Sequence, residues 1–423
     1  MSKRLMTAAL TAVAVLAVAG PASATQSRIN SVGGGVKQFT FLDDRNIFDL
    51  PAELVKYGTW TAIEIDGPGY TSFAIHYNFS PSVVLALYGT SQILPALTTD
   101  GRANNKELTA VGQFNNQAPG APNTVVGGGF DAFSNGNFQT QLSHKFTALL
   151  AFDLGSARLG LKVGGWGDKH GETDDTGKET ANQGPFVINV GLGAGFSIGS
   201  TDLDLGLDFR FGMATDEAGG NARSDNNMFD IALLGRITIP FAGPHEIVPF
   251  FKFDIWRAAS QLKDGSPPAF SALHFDMVIG TDIRLNLGEG ITVQPGIGLA
   301  YGVTTSTNKP ADGDESVTTF HDVMIPFYNV AVDVKVYDWL DIRFGGGQEV
   351  HFLIENNRTG SKDGVSKSDR EVKHKISTGV GFNLPAGVSI DIEVNTGWWK
   401  QGPYLLTGHA GNFGVSAALS KDW

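Results

Sequence analysis

The sequence predicts an all-β fold, a transmembrane antiparallel up-and-down β-barrel of about 16 strands (14 as the lower count) with a short N-terminal extension or plug. Three observations predict it. Apolar and polar residues alternate with a period of two from Trp60 to the end of the chain, short and long connections alternate, and the tryptophans fall at strand ends.

Composition narrows the class before any motif is read. The chain has 423 residues, 42% of them hydrophobic and 17% charged, with 54 Gly and no Cys. It is too apolar for disorder and unusually glycine-rich for a soluble domain. The lack of Cys excludes disulfides, thiolate metal sites and thiol nucleophiles. A net charge of -12 argues against nucleic acid as a partner, because binding phosphate needs a basic face.

From the N-terminus, Lys3 and Arg4 precede an apolar run over 5–19, and Ala22-Ser23-Ala24 is a small-residue cleavage site. Residues 1–24 therefore read as a signal peptide and place the mature chain outside the cytoplasm. Residues 25–58 do not alternate. Pro51 and Gly58 bracket a short helix, with Arg45, Asn46 and Phe48 just before it. This stretch is a periplasmic lead-in or a plug folded back into the barrel, and Arg45, Asn46, Phe48 and Pro51 are its plug candidates.

Residues 59–423 carry the strands. Leu203, Leu205, Leu207, Phe209 and Phe211 alternate with Asp202, Asp204, Gly206, Asp208 and Arg210, giving one lipid-facing side and one polar side. The same pattern runs through Leu273 to Arg284 and Val388 to Asn395. Short turns at 79–82, 155–157, 199–202, 241–246, 287–290, 337–338 and 385–387 alternate with longer polar connections at 91–144, 168–184, 214–227, 258–269, 304–317, 355–371 and 400–411. Trp60, Trp339 and Trp423 fall near the short turns, and Trp166, Trp256, Trp398 and Trp399 near the long loops, as two interfacial girdles would require. Gly191, Gly193 and Gly195, with Gly296, Gly298, Gly302, Gly379 and Gly381, form small-residue stripes on the polar face. They admit either an inward backbone or a tightly bent wall.

The polar face supplies the expected pore lining: Asp204, Asp208, Arg210, Arg236, Lys252, Asp254, Asp276, Asp282, Arg284, Asp391 and Glu393. Mixed signs favour a partly open polar pathway with a mild cation preference over a strictly anion- or cation-selective channel. The alternation also predicts that Leu205→Arg impairs assembly and that Asp204→Asn is tolerated. The longest connection, 91–144, is a candidate constriction loop.

No catalytic or metal constellation emerges, and no cofactor is expected. Phe133-Ser-Asn-Gly136 is similar to a fragment of outer-membrane phospholipases, but Asp131 stands where their His would be. The His residues are scattered, and acidic tips such as 312–315 lack a full oxygen-ligand loop.

The closing stretch Phe413-Gly-Val-Ser-Ala-Ala-Leu-Ser-Lys-Asp-Trp423 is similar to the C-terminal signal read by the barrel assembly machinery, and the chain from Trp60 onward resembles a Gram-negative outer-membrane β-barrel of porin-like type. Asn46, Pro51 and Ala52 loosely resemble the Asn-Pro-Ala stretch in the hatch of the long-chain fatty-acid transporter family, with four residues separating Asn from Pro here. The resemblance implies the cell outer membrane, contact with its lipid and lipopolysaccharide, and engagement of the assembly machinery through Trp423. It implies passive or facilitated diffusion of small solutes. The alternatives are a plugged barrel carrying an apolar substrate and a non-conducting structural or adhesive barrel. The pattern marks no oligomer interface.

Overall fold

The computed structural model describes residues 44–66, 70–92, 144–167, 170–173, 179–183, 186–218, 222–262, 269–309, 313–360, 362–363, 367–385, 388–394 and 415–422. Residues 1–24, expected to be a signal peptide, residues 25–43, most of the 91–144 loop, and Trp398, Trp399 and Trp423 lie outside these. The described chain opens with two short 3-10 helices, Asp44–Phe48 and Pro51–Lys56. Pro51 fits the start of the second because its missing N–H would have no partner in a first turn.

Nineteen strands follow. The first five are β1 Trp60–Asp66, β2 Tyr70–Ser80, β3 Val83–Gln92, β4 His144–Asp153 and β5 Ala157–Gly167. Next come β6 His170–Thr173, β7 Glu179–Gln183, β8 Phe186–Ile198, β9 Thr201–Ala218 and β10 Ala222–Phe241. Then follow β11 His245–Leu262, β12 Ala269–Asn286, β13 Ile291–Lys309, β14 Ser316–Tyr337 and β15 Leu340–Thr359. The last are β16 Lys362–Asp363, β17 Lys367–Leu384, β18 Val388–Val394 and β19 Val415–Asp422.

Every neighbouring pair is antiparallel. Leaving aside β6, β7 and β16, which belong to loop hairpins, the other 16 strands form a ring. It closes where β19 returns to β1, from Trp60↔Asp422 to Ile65↔Ala417. Closure removes the sheet edges that an open sheet would expose.

The wall alternates as the sequence requires. In β8, Ile188, Leu192 and Phe196 are exposed, while Asn189, Gly191, Gly193 and Gly195 are buried. In β9 and β10, Phe209, Phe211, Phe229, Ile231 and Leu233 face out, and Asp204, Asp208, Asp230 and Arg236 are buried on the inner face.

Strand length departs from expectation in the later wall. Strands β9 to β15 and β17 are 18 to 22 residues long, so much of the predicted loops 214–227, 258–269, 304–317 and 355–371 is paired strand. About 9 to 11 residues suffice to cross a bilayer. Beyond it both faces meet water, so hydrophobic alternation fades although the backbone ladder continues, as in Ala218↔Ala222.

The tryptophan girdles also need correction. Trp339 is half exposed at the short-turn rim, stacked between Tyr337 (5.6 Å) and Phe382 (6.4 Å). Trp60 and Trp256 instead point inward and are buried. Trp60 packs on His76 with ring centroids 3.9 Å apart, and Trp256 stacks on His274 at 5.1 Å. Position along a strand set their height, but register parity set their side.

Candidate functional site

Residues 44–57 lie on the inner face of the wall and touch it on three sides. Towards β1 to β4, Ile47, Phe48 and Leu54 join Trp60, Ala62, Ala74, Val84, Ala86, Tyr88, Leu149 and Ala151 in one buried apolar cluster. Phe48 meets Tyr88 edge-on at 4.6 Å, and the Tyr88 hydroxyl is hydrogen-bonded to His76. Towards the far wall, Leu50 joins Leu234, Phe250, Val278, Ala300, Met324 and Phe327, carried by β10 to β14. Full burial of each large apolar side chain contributes about 1.5–3 kcal/mol.

The third contact, on β5, β8 and β9, is made by glycine. Gly160, Gly193 and Gly206 are register partners in three adjacent strands. Their missing side chains leave room for the segment's backbone: a Cβ at Gly193 would lie 2.5 Å from the Ala52 nitrogen, and Cβ atoms at Gly160 and Gly206 would run into the backbones of Pro51 and Asp49. Of the predicted β8 stripe, Gly193 does this. Gly191 and Gly195 make space for Lys162 and Arg158. That Gly160 and Gly206 complete the row escaped sequence analysis because it depends on the register of three strands, with Gly160 pairing Gly193 and Gly193 pairing Gly206.

Polar ties fix the segment in place. The fully buried Glu53 carboxylate accepts from Arg236 of β10, which also donates to Asp204 of β9 at 3.4 Å. Lys56 pairs with Glu53 at 2.8 Å and lies 3.6 Å from Asp204. Arg158 donates to the other Asp204 oxygen at 3.0 Å. Burial by itself would raise the Glu53 carboxyl, but the charges of Arg236 and Lys56 outweigh it and hold the group below its ordinary 4.5. Higher in the lumen, Lys162 donates to the Phe48 carbonyl at 2.6 Å and pairs with Asp208 at 2.9 Å.

The predicted lining residues divide into groups. Asp204 and Arg236 lie directly against the segment, so Asp204 is a hub of charge pairs and not the replaceable wall carboxylate that alternation alone suggested. Asp208 and Arg210 form a chain with Asp230 through contacts of 3.2 and 3.4 Å. Lys252 pairs with Asp254 at 3.5 Å, and Asp254 is the register partner of Asp276. Arg284 pairs with Glu246 and meets Gln294, which donates to Asp282 at 2.8 Å. Asp391 accepts from Arg343 at 2.5 Å. The Glu393 and Arg45 side chains lie outside the described residues. Asn46, Phe48 and Pro51 are buried in the segment. Glu53, Leu50 and Leu54 were not among the plug candidates; Glu53 stood in the sequence three residues before Lys56, which marks a helix turn but not its partner across the lumen. Among the described residues no cluster of His, Asp and Glu is arranged to hold a metal.

No family model and no curated protein matches this sequence. Among solved structures, the chain is similar to the alcaligin outer-membrane receptor FauA from Bordetella pertussis, with 8% identity over 86% of this chain and 75% of that one and a TM-score of 0.40. It is also similar to the open form of the ferric-catecholate import receptor Fiu from E. coli K12, with 8% identity over 86% and 74% and a TM-score of 0.39. A third is the siderophore receptor PirA from Pseudomonas aeruginosa, with 7% identity over 86% and 80% and a TM-score of 0.33. Likeness at this level carries no argument about what the chain does.

Proposed function

We propose that this chain is an outer-membrane transport barrel whose lumen is held closed by residues 44–57, and that a solute passes when this segment leaves. The observation that carries the reading is that one short segment touches both the β1 to β4 wall and the β10 to β14 wall from inside. This favours a plugged barrel over a permanently open diffusion channel.

Two features support a displaceable segment. Each charged wall group that ties it has a wall partner of its own: Arg236 has Asp204, and Lys162 has Asp208. Departure therefore strands no unpaired charge on the wall. Gly58, exposed and with nothing within 4 Å of where a Cβ would stand, follows the segment, while Thr59 beyond it accepts a hydrogen bond from the Asn78 N–H of β2 at 3.1 Å. The segment thus has a free pivot beside a fixed end.

Departure would also uncover apolar wall at Val84, Ala86, Leu149, Leu234, Phe250 and Met324, a lining suited to a solute with an apolar part. The test is single-channel conductance of the refolded mature chain in a planar bilayer, beside a form lacking residues 25–57 and the point variant Leu50→Asp. Both altered forms are expected to conduct while the intact chain stays largely shut. An intact chain that conducts as well as either variant would return the reading to an open pore.

A further inference from the structure

The outward face of the barrel carries two arginines, Arg257 and Arg370, with no ion-pair partner among the described residues. Arg257 of β11 and Arg370 of β17 are both exposed. Each has its exposed apolar neighbours on the outward face: Ile255, Phe229 and Leu273 around Arg257, and Phe352 and Val372 around Arg370. The Arg370 guanidinium lies 5.9 Å from the centre of the Phe352 ring. Neither arginine makes an ion pair among the described residues, and none of those neighbours is a carboxylate. On the inner face the arrangement is the reverse, with Arg158, Arg210, Arg236, Arg284 and Arg343 all paired to acids.

The two positions lie at similar distances along their strands from the short-turn rim. Arg257 lies twelve residues along β11 from His245, which opens the strand at the short-turn rim. Arg370 lies twelve residues along β17 from Phe382, the partner of Leu340 at the same rim. At strand rise and barrel tilt this is roughly 30 Å from that rim, just past an apolar band about 25 Å tall. A guanidinium there sits at headgroup level, where the available counter-charge is a lipid phosphate, and its fork matches two phosphate oxygens.

We propose that Arg257 and Arg370 are binding positions for the phosphate groups of lipid in the leaflet at the long-loop end of the barrel. The inference rests on the membrane placement in the proposed function but not on the closing segment. The test uses the refolded full chain in phosphatidylcholine bilayers doped with a bis-phosphorylated glycolipid or its dephosphorylated form, followed by detergent extraction and native mass spectrometry of retained lipid. The wild type is expected to retain the phosphorylated lipid and not the other. The double variant R257S/R370S is expected to retain it roughly thirty-fold less, the loss of two near-surface cation contacts. Lys335→Ser, which removes an exposed charge near the opposite rim, is expected to change nothing. Equal retention by wild type and double variant would overturn the proposal, and so would displacement of the lipid by excess inorganic phosphate, which would mark a general anion site. Failure of the wild type to enter bilayers, read by heat-modifiable gel mobility, would overturn the membrane reading as well; a change in conductance alone would bear only on the segment.

Discussion

Among its contacts, the inner segment 44–57 meets two stretches of wall of different character. Against β1 to β4 it is held by shape and apolar contact: Ile47, Phe48 and Leu54 against Trp60, Val84, Tyr88 and Leu149. Against β5 to β10 it is held by absent side chains and by charge: the Gly160, Gly193 and Gly206 row, Arg236 on Glu53, and Lys162 on the Phe48 carbonyl. Apolar contact is non-directional and tolerates small shifts, whereas a glycine row and a buried ion pair accept one placement. The first wall holds the segment without fixing one placement, and the second chooses the register.

That division can be broken from either side. Arg236→Ala leaves Glu53 buried with only Lys56 as partner and should weaken docking by about 3–5 kcal/mol. Because the chain has no cysteine, the rate at which a single Ala52→Cys reacts with a water-soluble maleimide reports this directly, and an unchanged rate would refute the role of the pair. Leu54→Ala should cost about 2–5 kcal/mol by the same readout through lost apolar contact, while Lys162 stays bonded to the Phe48 carbonyl. On the outer face, Leu205→Arg should impair barrel assembly by about 2–4 kcal/mol, seen as lost heat-modifiable mobility, without affecting the segment in barrels that do form.

Two smaller effects sharpen the contrast. Asp204→Asn should cost about 1–3 kcal/mol because Arg236 and Arg158 lose a charged acceptor, with no effect on the β1 to β4 contacts. The pH response should come from the ionic wall alone. The Glu53 carboxyl is held below 4.5, so its contribution to docking is complete above that value and is lost as the pH falls through the lower, docked-state value. Ala52→Cys reactivity should accordingly rise in acid after correction for thiol ionisation, and Glu53→Gln should abolish that rise. Persistence of the rise in Glu53→Gln would assign it to another group.

The barrel was legible because its physics is local. Alternation in 203–211 placed Phe209 and Phe211 outside and Asp204 and Asp208 inside, and turn residues such as Gly199, whose φ of 63° suits glycine, marked where strands reverse. Strand ends past the membrane were missed because alternation disappears where both faces are wet. Trp60 and Trp256 were misplaced because an aromatic residue at a strand end satisfies a girdle or a lumen equally until parity is known.

By itself the sequence determined that this chain folds as a barrel, which faces of its strands are apolar and which polar, and that residues 25–58 lack the alternation of the wall strands. Only the tertiary structure decided that Gly160, Gly193 and Gly206 fall in one row beneath Pro51, and that Glu53 finds Arg236 across 183 residues of chain. The physical reason is that periodicity is a property of one strand, whereas a seat inside the lumen is a property of the register among many strands, and register is set only when the ring closes.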